Sequence, residues 1–119
     1  MVLVALLLTA ADISRAEPNE KSTAMKGDAA QGQRLFNGKG ICHYCHGLDG
    51  VIDRKPKLEP ETNSVVARLG AAAPDLRNRA ALTLKDNKAR FHAIREGHPG
   101  SGMFPDTTLS DQDIRDILA

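Results

Sequence analysis

Five consecutive residues, Cys42-His43-Tyr44-Cys45-His46, carry most of the chemistry available to this chain. Two thiols with two residues between them can reach the two vinyl groups of one porphyrin as thioethers, and the adjacent imidazole then comes up beneath the iron. C-x-x-C-H is for that reason the attachment signature of c-type haem. Cys42 and Cys45 are expected to hold one haem c covalently, with His46 as its proximal iron ligand. Three other chemistries use the same thiols. Half a zinc site would need a second C-x-x-C pair, which the chain lacks, and His92 and His98 lie far along it. A thioredoxin-like redox pair would need a βαβ pattern around the motif, and none is present. A structural disulfide across so short a loop would remove little entropy from the unfolded chain.

A closed iron site needs a second axial ligand. Met103 stands 57 residues after His46, within Pro99-Gly100-Ser101-Gly102-Met103-Phe104-Pro105. A loop so rich in glycine and proline can pass close to a porphyrin face and project one side chain at the metal. An isolated methionine ordinarily fills a core gap; here gap and iron would coincide, so Met103 is expected to be the ligand. His98 is its rival, and Met25 lies before the first helix. His43 cannot reach the far face while the motif pins its backbone, and is expected to be exposed.

Four helices are expected to position these groups, and no strand. Asp28 would cap a helix over residues 29 to 37, with Leu35 and Phe36 facing inward and Gly38 as a left-handed stop. A weaker helix runs from about Asn63 to Leu69, ended by Gly70. The third begins at Asp86, carries Phe91 and Ile94, and stops at Gly97. The fourth opens at Ser110, with Asp113 three residues on, and carries Ile114, Ile117 and Leu118. Residues 47 to 60 read as an extended surface loop.

The chain has 119 residues, room for one domain. Its hydrophobic share is 41%, but aromatic residues make up only 3%, with no Trp, one Tyr and three Phe. So thin a core would leave the domain marginal, and a tightly bound apolar cofactor would supply the missing buried area. A formal net charge of +1 disfavours nucleic acid as a partner. Val2 to Ala11 form an apolar run too short to span a bilayer, and Ser14-Arg15-Ala16 suits signal-peptidase cleavage. The expected organisation is a signal peptide over residues 1–16, a flexible segment over 17–26 and one domain over 27–119. The protein would be exported to the periplasm, without membrane insertion of the mature chain.

From about Gly27 to its end the sequence resembles the class I monohaem cytochromes c, small soluble electron carriers of respiratory and periplasmic chains. The likeness rests on Gly32-Gln33-Arg34-Leu35-Phe36, Cys42 to Gly47, Ala73-Pro74-Asp75-Leu76, Ile94-Arg95-Glu96-Gly97, Met103 and the closing helix. It implies an all-α cytochrome c fold, about four helices wrapped around one covalent haem, with the first and last helices crossing at Gly32 and Phe36. It also implies that the Pro74 carbonyl accepts the proximal imidazole's N–H, fixing its tautomer. The function implied is one-electron transfer with His/Met ligation, not enzymatic catalysis, by a monomer that meets donor and acceptor redox proteins. Arg77 and Arg79, just past Pro74, are candidates for pairing with a haem propionate. Lys85, Lys88, Arg90 and Arg95 give the third helix a basic character that could steer an acidic partner. Two alternatives use the same motif: a haem enzyme or small-ligand binder with an open distal site, where His92 and His98 act as acid or base, and a cytochrome subunit of a larger oxidoreductase. Three features depart from the family pattern. The 27 residues between His46 and Pro74 make residues 50 to 69 look inserted, Phe104 separates Met103 from Pro105, and the last helix ends at Ala119, where relatives usually continue with a Tyr and one more turn.

Overall fold

The computed structural model describes residues 26–119; the expected signal peptide, and all but the last residue of the expected flexible segment, lie outside the described residues. Five helices follow one another: α1 (Ala29–Phe36), α2 (His43–His46), α3 (Pro60–Leu69), α4 (Asn87–Glu96) and α5 (Asp111–Leu118). Two 3-10 turns, Leu48–Gly50 and Arg79–Ala81, complete the regular structure, and there is no strand among the described residues.

Local chemistry explains most helix ends. The Asp28 carboxylate accepts the Ala30 and Gln31 N–H groups at 3.0 and 3.1 Å, satisfying two donors that the first turn of α1 leaves free. Asp86 does the same for Ala89 at 2.8 Å. Ser110 and Asp113 form a reciprocal capping box at the start of α5. Gly97 ends α4 at φ 81°, a left-handed value that glycine adopts without steric cost.

Two boundaries differ from the sequence reading. α1 ends at Phe36, capped by Asn37 at φ −88°, and Gly38 is not left-handed. The N–H groups of Gly38 and Gly40 instead both donate to the Leu35 carbonyl, at 3.3 and 2.9 Å, tightening the exit. α3 starts three residues earlier than expected, at Pro60, with Glu59 before it. A proline at the first helical position lacks only an N–H that would be orphaned anyway, so it starts this helix instead of closing the preceding loop.

The protein-built core sits where α1 crosses α5. A Cβ on Gly32 would collide with the Asp116 carbonyl, so only glycine lets the two backbones approach this closely. The Asp116 side chain, 7% exposed, accepts the Asp28 N–H at 2.9 Å and the Gln112 amide at 2.9 Å, fixing the crossing on its polar side. Leu35, Leu109 and Ile114 form the buried cluster, with Phe91, Ile94, Ile117 and Leu118 packed against it. Arg95 ties α4 to this unit through the Leu109 carbonyl at 2.7 Å and the Asp111 carboxylate at 2.6 Å. Arg90 is similarly spent on the Leu84 carbonyl at 3.1 Å. Lys85 donates to the Ala80 carbonyl at 3.3 Å, so three of the four cations named as a steering face also make hydrogen bonds within the fold.

Candidate haem site

After α1 the chain turns through Ile41, at φ 48°, and enters the helical turn that carries the motif. Gly47, at φ 82°, stops that turn; a Cβ there would collide with the Val51 carbonyl. Within the turn, His43 is not exposed as the sequence suggested. It is 9% exposed, and its Nδ1–H donates to the Phe36 carbonyl at 3.1 Å. The last carbonyls of α1 have no partner within their own helix, and His43 satisfies one of them.

Both cysteines are free thiols. Burial pushes the Cys42 thiol up to about 11, and the Asp106 charge adds to the effect. Burial also raises Cys45, opposed in part by Lys55, whose Nζ donates to the Cys45 carbonyl at 3.0 Å. Thiols held neutral at physiological pH are weak nucleophiles and do not suit a reactive redox pair. Among the described residues, no group of three His, Cys, Asp or Glu side chains stands ready to hold a metal ion.

The His46 Nδ1 lies 3.1 Å from the Pro74 carbonyl oxygen. A carbonyl only accepts, so Nδ1 carries the proton and Nε2 presents its lone pair. Burial lowers the basicity of His46, with the Pro74 bond opposing, and the ring is therefore neutral at pH 7, as a metal ligand must be. The tilted Phe36 ring stands 6.4 Å away, centroid to centroid.

Beside the motif opens an apolar cleft of about 400 Å³, lined by Ile41, Tyr44 and Cys45 on one side, Val65 and Leu69 of α3 on another, and Phe104 at its rim. A second cleft, of about 370 Å³, also borders Cys45 and runs under the other side of α3 to Lys55 and Ala73. Phe104 brings the Met103 loop to the motif. That loop is closed by its own hydrogen bonds: the His98 N–H donates to the Met103 carbonyl at 3.1 Å, and Ser101 Oγ accepts the Met103 N–H at 3.2 Å. Met103 itself is 36% exposed. Two neutral thiols, one imidazole nitrogen left free by its partner, and an apolar cleft at Cys45 are a donor set and a lining that fit a covalently attached porphyrin.

Arg77 and Arg79 follow the Pro74 turn. The Arg77 Nε–H donates to the Asp49 carbonyl at 2.8 Å, and Arg79 sits exposed in the 3-10 turn Arg79–Ala81. Asp49 is a residue that sequence reasoning passed over. Its carboxylate accepts from Gln33 at 2.9 Å, Asn37 at 2.6 Å and Arg54 at 2.8 Å, and its own N–H donates to the Asn37 side chain at 2.9 Å. It thus joins α1, the loop after the motif and the segment that carries Pro74. The available signal was the Asp49-Gly50 pair, a turn dipeptide whose Asp tolerates the left-handed backbone observed at φ 57°.

An all-α fold with a thioether-ready motif and an oriented imidazole defines a c-type haem domain. The family model described as "Cytochrome C oxidase, cbb3-type, subunit III" matches residues 27–119, and the chain belongs to this family of monohaem class I cytochrome c domains. No curated protein and no solved structure matches it. Members are haem electron carriers rather than enzymes, they exchange electrons with redox partner proteins, and they work outside the cytoplasm. Among the described residues, no helix is long and apolar enough to cross a membrane.

Proposed function

We propose that the protein is a monomeric periplasmic one-electron carrier whose single haem c is bound through Cys42 and Cys45, with His46 and Met103 as axial ligands. When bound, the haem supplies a ferrous–ferric couple. The observation that carries the reading is the His46 to Pro74 hydrogen bond of 3.1 Å, which leaves one imidazole nitrogen free in a motif whose two thiols are also free. The chain's own residues do the rest. Pro74 fixes the tautomer of His46 and strengthens it as a donor. Ile41, Val65, Leu69 and Phe104 line the cleft and would pack on the bound haem, and an apolar surrounding together with a thioether donor favours the reduced, less charged state. Arg77 and Arg79 are the cations we assign to the propionates, with Arg77 held in place by the Asp49 carbonyl. A carrier with both axial positions filled by side chains excludes exogenous ligands and reorganises little when its charge changes.

A pyridine haemochrome assay on the purified protein should report a haem with both vinyl groups saturated. The ferric protein should show the weak far-red band of thioether ligation, and Met103→Ala should keep its haem while losing that band. Rapid, complete carbon monoxide binding by the reduced wild type at neutral pH would instead show an open distal site and favour the ligand-binding alternative.

The family description names an oxidase subunit, and the exposed Val65, Leu69 and Phe104 side chains would suit attachment to a larger assembly. Co-purification with a stable partner under mild extraction would support that second reading. Sedimentation as a free monomer supports the diffusing carrier.

A further inference from the structure

Helix α3 is puzzling as a purely structural element. It buries no side chain, and Val65 and Leu69 remain 42% and 37% exposed. Ten residues are too few for backbone propensity to hold a helix in water, so its position must come from contacts at its ends or along one face. Its C-terminal end makes two unusually close approaches, in consecutive residues. A Cβ on Gly70 would lie 2.9 Å from Cys45 Sγ and 3.1 Å from Cys45 Cβ. On the next residue back, the Leu69 carbonyl occupies the space where a Cβ on Gly102 would be, with Leu69 Cα at 2.9 Å from that position. One end of the helix is thus wedged between the attachment cysteine and the loop that carries Met103.

We propose that the Leu69–Gly70 terminus of α3 is a strut that sets the position of Met103 relative to the attached haem, making Gly70 and Gly102 positioning residues for the sixth ligand. This rests on the assignment of Met103 as that ligand. The loop is closed on itself by the His98 to Met103 bond at 3.1 Å and by Ser101 Oγ donating to the His98 carbonyl at 2.7 Å. A displacement at Gly102 is therefore passed to the adjacent Met103 and not absorbed. A methyl group at Gly102 must push the loop off the Leu69 backbone, which cannot swing aside as a side chain would. A methyl at Gly70 presses on a cysteine tethered by its thioether, so α3 moves instead and carries Leu69 away from Gly102. Two substitutions 32 residues apart, neither at a ligand, should give one symptom.

Imidazole titration of the ferric holoprotein, followed through the far-red band, reads the strength of the thioether–iron bond directly. Gly102→Ala and Gly70→Ala should each bind imidazole about tenfold more tightly than wild type. The double variant should be less affected than the product of the two effects, because both break the same contact. Gly32→Ala, at the α1–α5 crossing, should lower resistance to denaturant without changing imidazole affinity. Wild-type imidazole affinity in either Gly102→Ala or Gly70→Ala overturns the strut, and a variant too unstable to purify leaves the other to decide. A wild-type protein without the far-red band overturns the Met103 assignment instead, and does so without reference to the variants.

Discussion

Where α1 crosses α5, Ile114 is fully buried and Leu109 is 3% exposed; where α2 faces α3, Val65, Leu69 and Phe104 stay 42%, 37% and 57% exposed. The first region closes on itself. Glycine at position 32 lets the backbones touch, Asp116 answers the polar groups at the crossing, and apolar side chains from three helices meet. In the second region the apolar side chains surround clefts instead of one another, and both clefts border Cys45 of the attachment motif, one residue before the oriented His46 imidazole. The contrast teaches that this polypeptide finishes only half of its core. The other half is a lining, and its stability depends on what the thiols hold.

Removing the attachment chemistry breaks this comparison most severely. Cys42→Ala with Cys45→Ala should yield little folded protein, because the apolar filling of the second region is lost while every polar cost of folding remains. Circular dichroism and a urea titration decide the point: a cooperative, fully helical apoprotein would show that the α1–α5 region suffices alone. A smaller effect is expected in the region that closes itself. Gly32→Val forces a side chain into the Asp116 carbonyl and should destabilise the holoprotein by about 3 kcal/mol, at the upper end of overpacking costs. Its haem spectrum should stay that of wild type, since the crossing touches none of the proposed ligands.

The same division runs through what the sequence discloses. Cys42 to His46 is legible because attachment chemistry fixes a spacing, and the caps at Asp28, Asp86 and Ser110 are legible because each acts on the next few residues. The all-α class follows from these ends and the helical periodicity between them. Pro60 was mistaken for loop because proline both stops and starts helices, and only the path of the chain decides which. His43 and Asp49 escaped for a different reason. The carbonyl that His43 satisfies and the four side chains gathered around Asp49, from Gln33, Asn37, Arg54 and Arg77, are brought together by the fold; no local pattern announces them. The basic character of α4 was legible as charge, but not the second use of Arg90 and Arg95, which satisfy carbonyls brought to them by the fold.

Ile41 sharpens the boundary between the two regions. A β-branched residue at φ 48° is strained, by roughly 1–2 kcal/mol relative to a residue free to adopt that backbone. Ile41→Gly relieves the strain but adds backbone freedom to the unfolded chain, worth roughly 0.5–1 kcal/mol in the other direction. The net should be near zero or a gain of about 1 kcal/mol in the unfolding free energy of the holoprotein, measured by urea titration. A clear loss would mean that the Ile41 side chain, on the wall of the apolar cleft, packs on the cofactor strongly enough to outweigh its own backbone.

Asp49 gives the smallest expected effect and the one with a distinct pH signature. Hydrogen bonds from Gln33 and Asn37, with Arg54 adding a bond and a charge, hold its carboxyl below the usual carboxylate range despite its solvent access. A carboxylate whose folded value lies below the unfolded one, about 3.9, stabilises the fold fully above that unfolded value and loses the contribution as pH falls through the folded one. Asp49→Asn keeps a residue that tolerates φ 57° while removing the charge. The variant should melt lower than wild type at pH 7, and the two melting curves should converge as the pH drops below about 4 and the wild-type carboxyl takes up its proton. The haem spectrum should be indifferent to the change at both pH values, because Asp49 reaches the site only through the backbone that Arg77 holds. A melting gap that persists in acid would place the effect of the substitution in the left-handed turn and not in the carboxylate. A shift in the far-red band would show that the Asp49 hub reaches across to the Met103 side and that the two regions are coupled.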